Sequence, residues 1–197
     1  IGKDAAKDLT SGKLNAIVGD TASENITTGC YNSVFGYAAN KTGVLTGNSN
    51  VFMGHYAGDD VTSGASNVFL GKDAGKGVTT GGYNIGIGLD ALGDATNTGS
   101  NNIALGNAAG EKVQDGTNSV FIGMDAGKSV TTGSNYVAIG AYALDAEDTA
   151  GSGAIAIGYY ALSSQNATTG NNIAIGWHSG CSLVDASENV FVGYMAG

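Results

Sequence analysis

The amino-acid sequence predicts an all-β protein, a parallel β-solenoid or β-roll of about twelve coils, each 17 or 18 residues long. First, a phrase such as Asn-Val-Phe-Leu-Gly at 67–71 recurs along the whole chain, and a fixed short period is typical of repeat architectures. Second, its β-branched and aromatic residues, bounded by Asn and Gly, favour short strands. Third, there are 34 Gly residues in 197, a frequency that disfavours helices.

The glycine that closes each strand phrase serves as the anchor of one coil. No interval between anchors breaks the 17- or 18-residue rhythm, so residues 1–197 form a single repeat array. The first and last copies lack the features of capping repeats, so we expect the array to be a segment of a longer chain. The anchors are Gly2, Gly19, Gly36, Gly54, Gly71, Gly88, Gly106, Gly123, Gly140, Gly158, Gly176 and Gly193.

Each coil has room for a second, weaker strand, which we expect around Val-Thr-Thr-Gly at 78–81 and its equivalents. An Asn such as Asn67 stands four residues before most anchors. Stacked side-chain amides can hydrogen-bond from one layer to the next. This column therefore predicts a structural Asn ladder along the coil axis.

Alternation along the strand predicts which side chains fill the coil. We expect the residues three and one before the anchor to face the interior. The predicted core residues are Val51, Met53, Val68, Leu70, Ile103, Leu105, Ile155, Ile157, Ile173 and Ile175.

The residue between those two should then point outward, yet it is apolar in every copy. A strand that is apolar on both faces is covered on both faces, and monomers avoid so long an exposed stripe. We therefore expect an intimately packed parallel homotrimer, although a dimer would also close. The predicted interface residues are Phe52, Phe69, Ala104, Phe121, Ala138, Ala156, Ala174 and Phe191.

The phrase Asn-Ile-Ala-Ile-Gly at 172–176 resembles the head repeats of trimeric autotransporter adhesins of the YadA type, as do 136–140 and 154–158. The phrase Asn-Val-Phe-Leu-Gly-Lys-Asp-Ala-Gly at 67–75, with Thr-Thr-Gly between copies, looks still more like phage tail-fibre repeats. The coils here are longer than those of the adhesin heads. The resemblance implies an extracellular fibre or attachment protein, on a virion or a bacterial cell surface, that mediates or supports recognition of a host surface.

Composition and spacing disfavour several other functions. The net charge is −9 without a Lys/Arg cluster, which disfavours nucleic acid as a partner, and no long apolar run predicts membrane insertion. His55 and His178 lie seven coils apart, roughly 33 Å along the stack, and no calcium-roll phrase occurs. We therefore predict no catalytic residue, metal, cofactor or enzyme activity.

Aromatic residues occupy one or both of the two positions after the anchor in four consecutive coils. Such rings would either pack as a ladder at the coil corner or contact a glycan or protein partner. These residues are Tyr142, Tyr159, Tyr160, Trp177, His178 and Tyr194.

The alternative function is a monomeric solenoid that binds ice or another repetitive surface. A Thr or Ser eight residues before most anchors would form a regular hydroxyl file, but in Thr-Thr-Gly the two hydroxyls point to different faces. The mass in solution distinguishes this alternative from a multi-chain fibre. The file comprises Thr28, Thr46, Ser63, Thr80, Thr98, Thr132 and Thr168.

Overall fold

The computed structural model describes residues 1–94, 96–145, 152–164, 170–183 and 186–197. It confirms the predicted β-solenoid: eleven three-residue strands pair in parallel and in sequence order within one sheet. Equivalent residues of successive coils are partners, as in Phe52 opposite Phe69. The strands are β1 (Ala16–Val18), β2 (Ser33–Phe35), β3 (Val51–Met53), β4 (Val68–Leu70), β5 (Ile85–Ile87), β6 (Ile103–Leu105), β7 (Val120–Ile122), β8 (Val137–Ile139), β9 (Ile155–Ile157), β10 (Ile173–Ile175) and β11 (Val190–Val192).

The predicted second strand does not form a sheet. Among the described residues, this part of the coils contributes one isolated parallel bridge, between Val78 and Asn97. The Thr62 carbonyl accepts hydrogen bonds from the backbone N–H groups of both Thr46 and Gly47, at 2.8 and 3.0 Å. Two successive donors that share one acceptor make a turn, because a parallel ladder requires evenly spaced bonds to successive partners.

The predicted inside and outside of the strand are reversed in the structure. The middle residues Phe52, Phe69, Phe121, Ala104, Ala138, Ala156 and Ala174 are fully buried within the single chain, and Phe191 packs against the same core. They are therefore core residues, and their assignment to an oligomer interface was wrong.

The residues predicted as coil core instead lie on the outside of the sheet. Met53 and Ile175 are 48% and 39% exposed. The other members are half-buried: Val51, Val68, Leu70, Ile103, Leu105, Ile155, Ile157 and Ile173.

The Asn column explains this orientation and confirms the predicted ladder. The Asn67 backbone N–H donates to Asn50 Oδ1 at 2.9 Å, and Asn67 Nδ2 donates to the Gly81 carbonyl oxygen at 2.9 Å. Asn67 is fully buried, and its side chain must point inward to reach these partners. Since side chains alternate, Phe69 two residues later also points inward, whereas Val68 points outward.

Two core positions in each coil share the available volume. Phe121 lies against Gly127, where an added Cβ would overlap the phenyl ring. In the next coil Ala138 stands in place of the Phe, and Leu144 stands in place of the Gly. Both Ala138 and Leu144 are buried, so in this coil the small residue of the strand is matched by a large one six positions later.

The anchor glycines allow the coils to stack closely. Gly71 has a φ of 136°, and a Cβ there would collide with the Gly88 carbonyl oxygen of the next coil. Two residues after each anchor the chain adopts a left-handed conformation even without glycine, as at Asp73 with φ 56°. This pair of conformations turns the backbone sharply away from the sheet at one corner of every coil.

Candidate functional site

The outer face of the sheet is the largest candidate interaction surface, and it consists of the first and third residues of strands β1 to β11. All of them are apolar except Ser33, and none carries a charge. None is fully buried in the single chain. At about 4.8 Å per strand, eleven strands give a length of about 50 Å. So continuous an apolar surface marks an interaction site in most soluble proteins.

A second candidate surface is the aromatic corner, formed by Tyr142, Tyr159, Tyr160, Trp177, His178 and Tyr194. The predicted packing ladder is confirmed, because the rings stack from coil to coil. The rings two residues after the anchors, Tyr142, Tyr160 and His178, form an inner file. The ring centroids of Tyr142 and Tyr160 are 4.7 Å apart, and those of Tyr160 and His178 are 5.1 Å apart.

The rings directly after the anchors, Tyr159, Trp177 and Tyr194, form an outer file that remains partly open to solvent. The Trp177 ring lies 4.9 Å from that of Tyr194 and 6.2 Å from that of Tyr159, with interplanar angles of 7° and 17°. Tyr159 and Trp177 are nevertheless 42% and 41% exposed. Their contact with a glycan or a protein partner stays a prediction.

The inner file owes its position to the left-handed backbone. Tyr142, Tyr160 and His178 have φ values of 57°, 55° and 52°, so each ring leaves the chain at the same corner. Desolvation, followed by the neighbouring Tyr159, raises the pKa of the Tyr160 hydroxyl. The hydroxyl therefore stays protonated at neutral pH and can donate a hydrogen bond.

Sequence reasoning missed a smaller aromatic group at the same corner of two earlier coils. The His55 ring lies 5.3 Å from Tyr37 and 4.2 Å from Tyr56. The Lys76 ammonium group lies 5.8 Å from the centre of the Tyr56 ring. The signal was present in the sequence, since these aromatic residues also follow directly after an anchor.

The hydroxyl file is exposed at each of its described positions, while Thr168 lies outside the described residues. Thr62 and Thr79 stand one residue before members of the file and form hydrogen bonds with the backbone of the next coil. Thr62 Oγ1 donates to the Thr79 carbonyl oxygen at 3.2 Å, and Thr79 Oγ1 donates to that of Asn97 at 3.3 Å. The exposed file and the rank of Thr62 and Thr79 therefore point to different faces, and within the file Thr46 Oγ1 donates to the Thr62 carbonyl oxygen at 3.3 Å.

A file of alternating charges, also missed from the sequence, runs along the position five residues after each anchor. Lys7 Nζ lies 3.2 Å from Glu24 Oε1, and Lys128 Nζ lies 3.4 Å from Glu111 Oε2. Burial is the main cause that raises the pKa of Asp145 to about 6. Opposite charges on neighbouring coils attract, whereas like charges at this spacing would repel. The file is Lys7, Glu24, Lys41, Asp59, Lys76, Gly93, Glu111, Lys128 and Asp145.

The described residues contain no group of three or more His, Cys, Asp or Glu side chains that could hold a metal ion, and they form no pocket. They also include no helix with the length and apolar character of a membrane span. No protein-family model, curated protein or solved structure matches the chain.

Proposed function

We propose that this chain is a non-enzymatic structural fibre or attachment protein whose copies pack together through the outer face of the sheet. In this role it forms the shaft of a phage tail fibre or of a bacterial cell-surface adhesin, outside the cell, and mediates or supports recognition of a host surface. The observation that carries the proposal is the outer face of β1 to β11, which is apolar at every position except Ser33.

The periodicity of that face favours a second copy of the same chain as its partner. A complementary surface must repeat at about 4.8 Å over about 50 Å, and another coil stack has this repeat by construction. At about 3.3 Å per residue, the three-residue strands make this face about 10 Å wide, so its projected area is about 500 Å². A stable protein interface buries about 800 Å² on each partner, so the face by itself supplies more than half of such an interface.

A parallel homotrimer suits a fibre because three such faces can close around one long axis without leaving part of any apolar face exposed. In a parallel, in-register arrangement each outer-face residue meets its own equivalents from the other chains. Aliphatic side chains such as Leu70, Ile122 and Ile157 then contact the same residues of the other chains instead of water, and their burial drives association.

The bonding between coils supports a stiff shaft. Every coil contributes sheet hydrogen bonds and most contribute an Asn to the ladder, so neighbouring coils are joined at several points of their circumference. In a solenoid each repeat contacts only its neighbours, and stability accumulates along the array. We therefore expect an extended particle that resists proteolysis.

The mass in solution tests the proposal. Sedimentation equilibrium should give three times the chain mass of 19.5 kDa. Ile122→Lys combined with Ile157→Lys should give a folded monomer, because buried unpaired charges at the interface are unfavourable. The matched control Thr80→Lys, on the hydroxyl file, should keep the mass of the unmodified protein. A monomer at tens of micromolar without any substitution would refute the assembly.

The alternative, a monomeric solenoid that binds ice or another repetitive surface, is favoured by the exposed hydroxyl file. Its test is thermal hysteresis of ice growth. If the unmodified chain is monomeric and Thr80→Tyr abolishes hysteresis, the alternative is correct. We expect neither hysteresis nor binding to nucleic acid or membranes.

A further inference from the structure

The aromatic corner lies in a part of the chain without Lys or Arg side chains. Lys128 is the last Lys or Arg of the sequence, and the formal charges in 129–197 are all acidic. The earlier aromatic group differs, since Lys76 stands over Tyr56. Recognition of phosphate, sulfate or carboxylate groups relies on Arg or Lys partners. The corner is therefore suited to an uncharged ligand and poorly suited to an anionic polymer or lipid headgroup.

The exposed rings combine apolar surface with polar tips. Tyr159 and Trp177 expose about two fifths of their surface although they stack on one another. A phenol hydroxyl donates and accepts hydrogen bonds, and an indole N–H donates them. A ligand that matches both properties needs C–H groups on its faces and hydroxyl groups at its edges, which is the chemistry of a sugar ring.

The spacing of the rings in the outer file matches the spacing of the units in a linear ligand. Parallel strand pairing places one outer-file ring on each coil. The ring centroids of Tyr159 and Trp177 are 6.2 Å apart, and those of Trp177 and Tyr194 are 4.9 Å apart. This spacing is close to the length of one sugar residue in an extended polysaccharide. Successive sugars can therefore contact successive rings.

We propose that the aromatic corner binds a neutral linear saccharide that lies along the coil axis. This deepens the proposed function, because it names the class of surface molecule that the attachment protein recognises. The Tyr160 and His178 rings of the inner file lie beside the outer file, and their polar groups offer further hydrogen bonds to sugar hydroxyls. The ladder is held by its own stacking, so binding requires little ordering of side chains.

Trp177 is the only tryptophan of the chain, so intrinsic fluorescence reports on this site directly. The full chain should be titrated with neutral hexasaccharides of glucose, mannose and galactose, and with hexagalacturonate as the anionic probe. At least one neutral hexasaccharide should change the fluorescence saturably, whereas hexagalacturonate should not. Tyr159→Ala should weaken that binding about tenfold, the effect of losing one aromatic contact.

The matched control is Tyr83→Ala, which removes a tyrosine that is 67% exposed and stands before strand β5, whereas Tyr159 follows strand β9. This control should bind the saccharide like the unmodified protein. Tyr159→Phe keeps the stacked ring and removes only the hydroxyl, so it tests hydrogen bonding even if Tyr159→Ala misfolds. It should weaken binding several-fold, with an unchanged circular dichroism spectrum and melting temperature.

Three results would overturn the proposal: no neutral probe changes the fluorescence at millimolar concentration, hexagalacturonate binds equally well, or both Tyr159 variants bind like the Tyr83 control. A partner protein that quenches Trp177 when all saccharides fail would identify a protein-binding surface instead. The mass measurement is independent of these results. A trimer that binds no saccharide refutes only the ligand, and a monomer that binds one refutes only the fibre.

Discussion

The division of core volume between Phe121 and Gly127 leads to a prediction about compensating substitutions. Phe121 is fully buried, and Gly127 lies against its ring. The next coil holds Ala138 and Leu144 at the equivalent positions. Phe121→Ala combined with Gly127→Leu would therefore give this coil the same pair of core residues as its neighbour.

Each single substitution should be destabilising for a different reason. Phe121→Ala removes a buried ring, which costs about 3–5 kcal/mol of unfolding free energy. Gly127→Leu forces a side chain into the space of the ring, at about 1–3 kcal/mol, and places a non-glycine residue at a φ of 60°, at about 1–2 kcal/mol. Leu144 already occupies a φ of 53°, so the conformation itself is accessible.

In the double variant, the leucine fills the space that the ring leaves. We expect its loss of stability to be smaller than the sum of the single losses by about 2–3 kcal/mol, which is within the range of coupled neighbours. Urea unfolding of all four proteins at one concentration measures this coupling. Phe121→Ala with Gly58→Leu, four coils away, should be additive. If the Phe121–Gly127 pair is also additive, Phe121 does not share a core with Gly127, and the inward orientation is wrong.

Three further substitutions test other parts of the coil. Asn97→Leu should stabilise the protein by about 1 kcal/mol, because the buried Asn97 side-chain N–H₂ has no partner and Leu45 fills the same place in an earlier coil. The Gly99 N–H that donates to Asn97 Oδ1 keeps the Gln114 carbonyl oxygen as an acceptor, and a lower midpoint of urea unfolding would contradict this prediction. Asn67→Ala should destabilise by about 2–4 kcal/mol, since it leaves a buried N–H and a buried carbonyl unpaired, and an unchanged midpoint would contradict the ladder's role. The pKa of Asp145 is raised from 3.8 to about 6, so the folded chain holds this proton more tightly than the unfolded chain and loses stability as the pH rises from about 4 to about 6. Asp145→Asn removes this loss of stability, so the variant should match the unmodified protein near pH 4 and be more stable above pH 6. The melting temperature of each protein as a function of pH measures this difference. Parallel profiles of the two melting temperatures would refute the burial of the carboxylate.

The sequence alone determined the repeat and the main strand of each coil, whereas the second strand that it predicted forms no sheet in the described part of the chain. The anchor spacing, the β-branched residues and the Asn column are local, and each follows from the conformations that these residue types prefer. The aromatic corner was also predictable, because residues at equivalent positions of a repeat must lie beside one another. The Asn ladder was predicted for the same reason, and the bonds of Asn67 confirm it.

Some contacts between coils could have been found in the sequence but were not. Phe69 is followed six residues later by Gly75, and Gly86 by Leu92, which indicates that the two positions share one enclosed space. The alternation of Lys7, Glu24 and Lys41 is equally regular. Its members are 17 residues apart, so it gains a physical meaning only once successive coils are known to stack in register.

Only the tertiary structure decided which face of each strand is inside. Alternation requires that Val68 and Leu70 share one face and that Phe69 takes the other, but it is symmetric between the two. The symmetry is broken by Asn67, whose amide reaches the Gly81 carbonyl of the following coil only from the interior. That contact depends on the closure of a whole coil, and closure sends Phe69 into the core and leaves an aliphatic face on the outside.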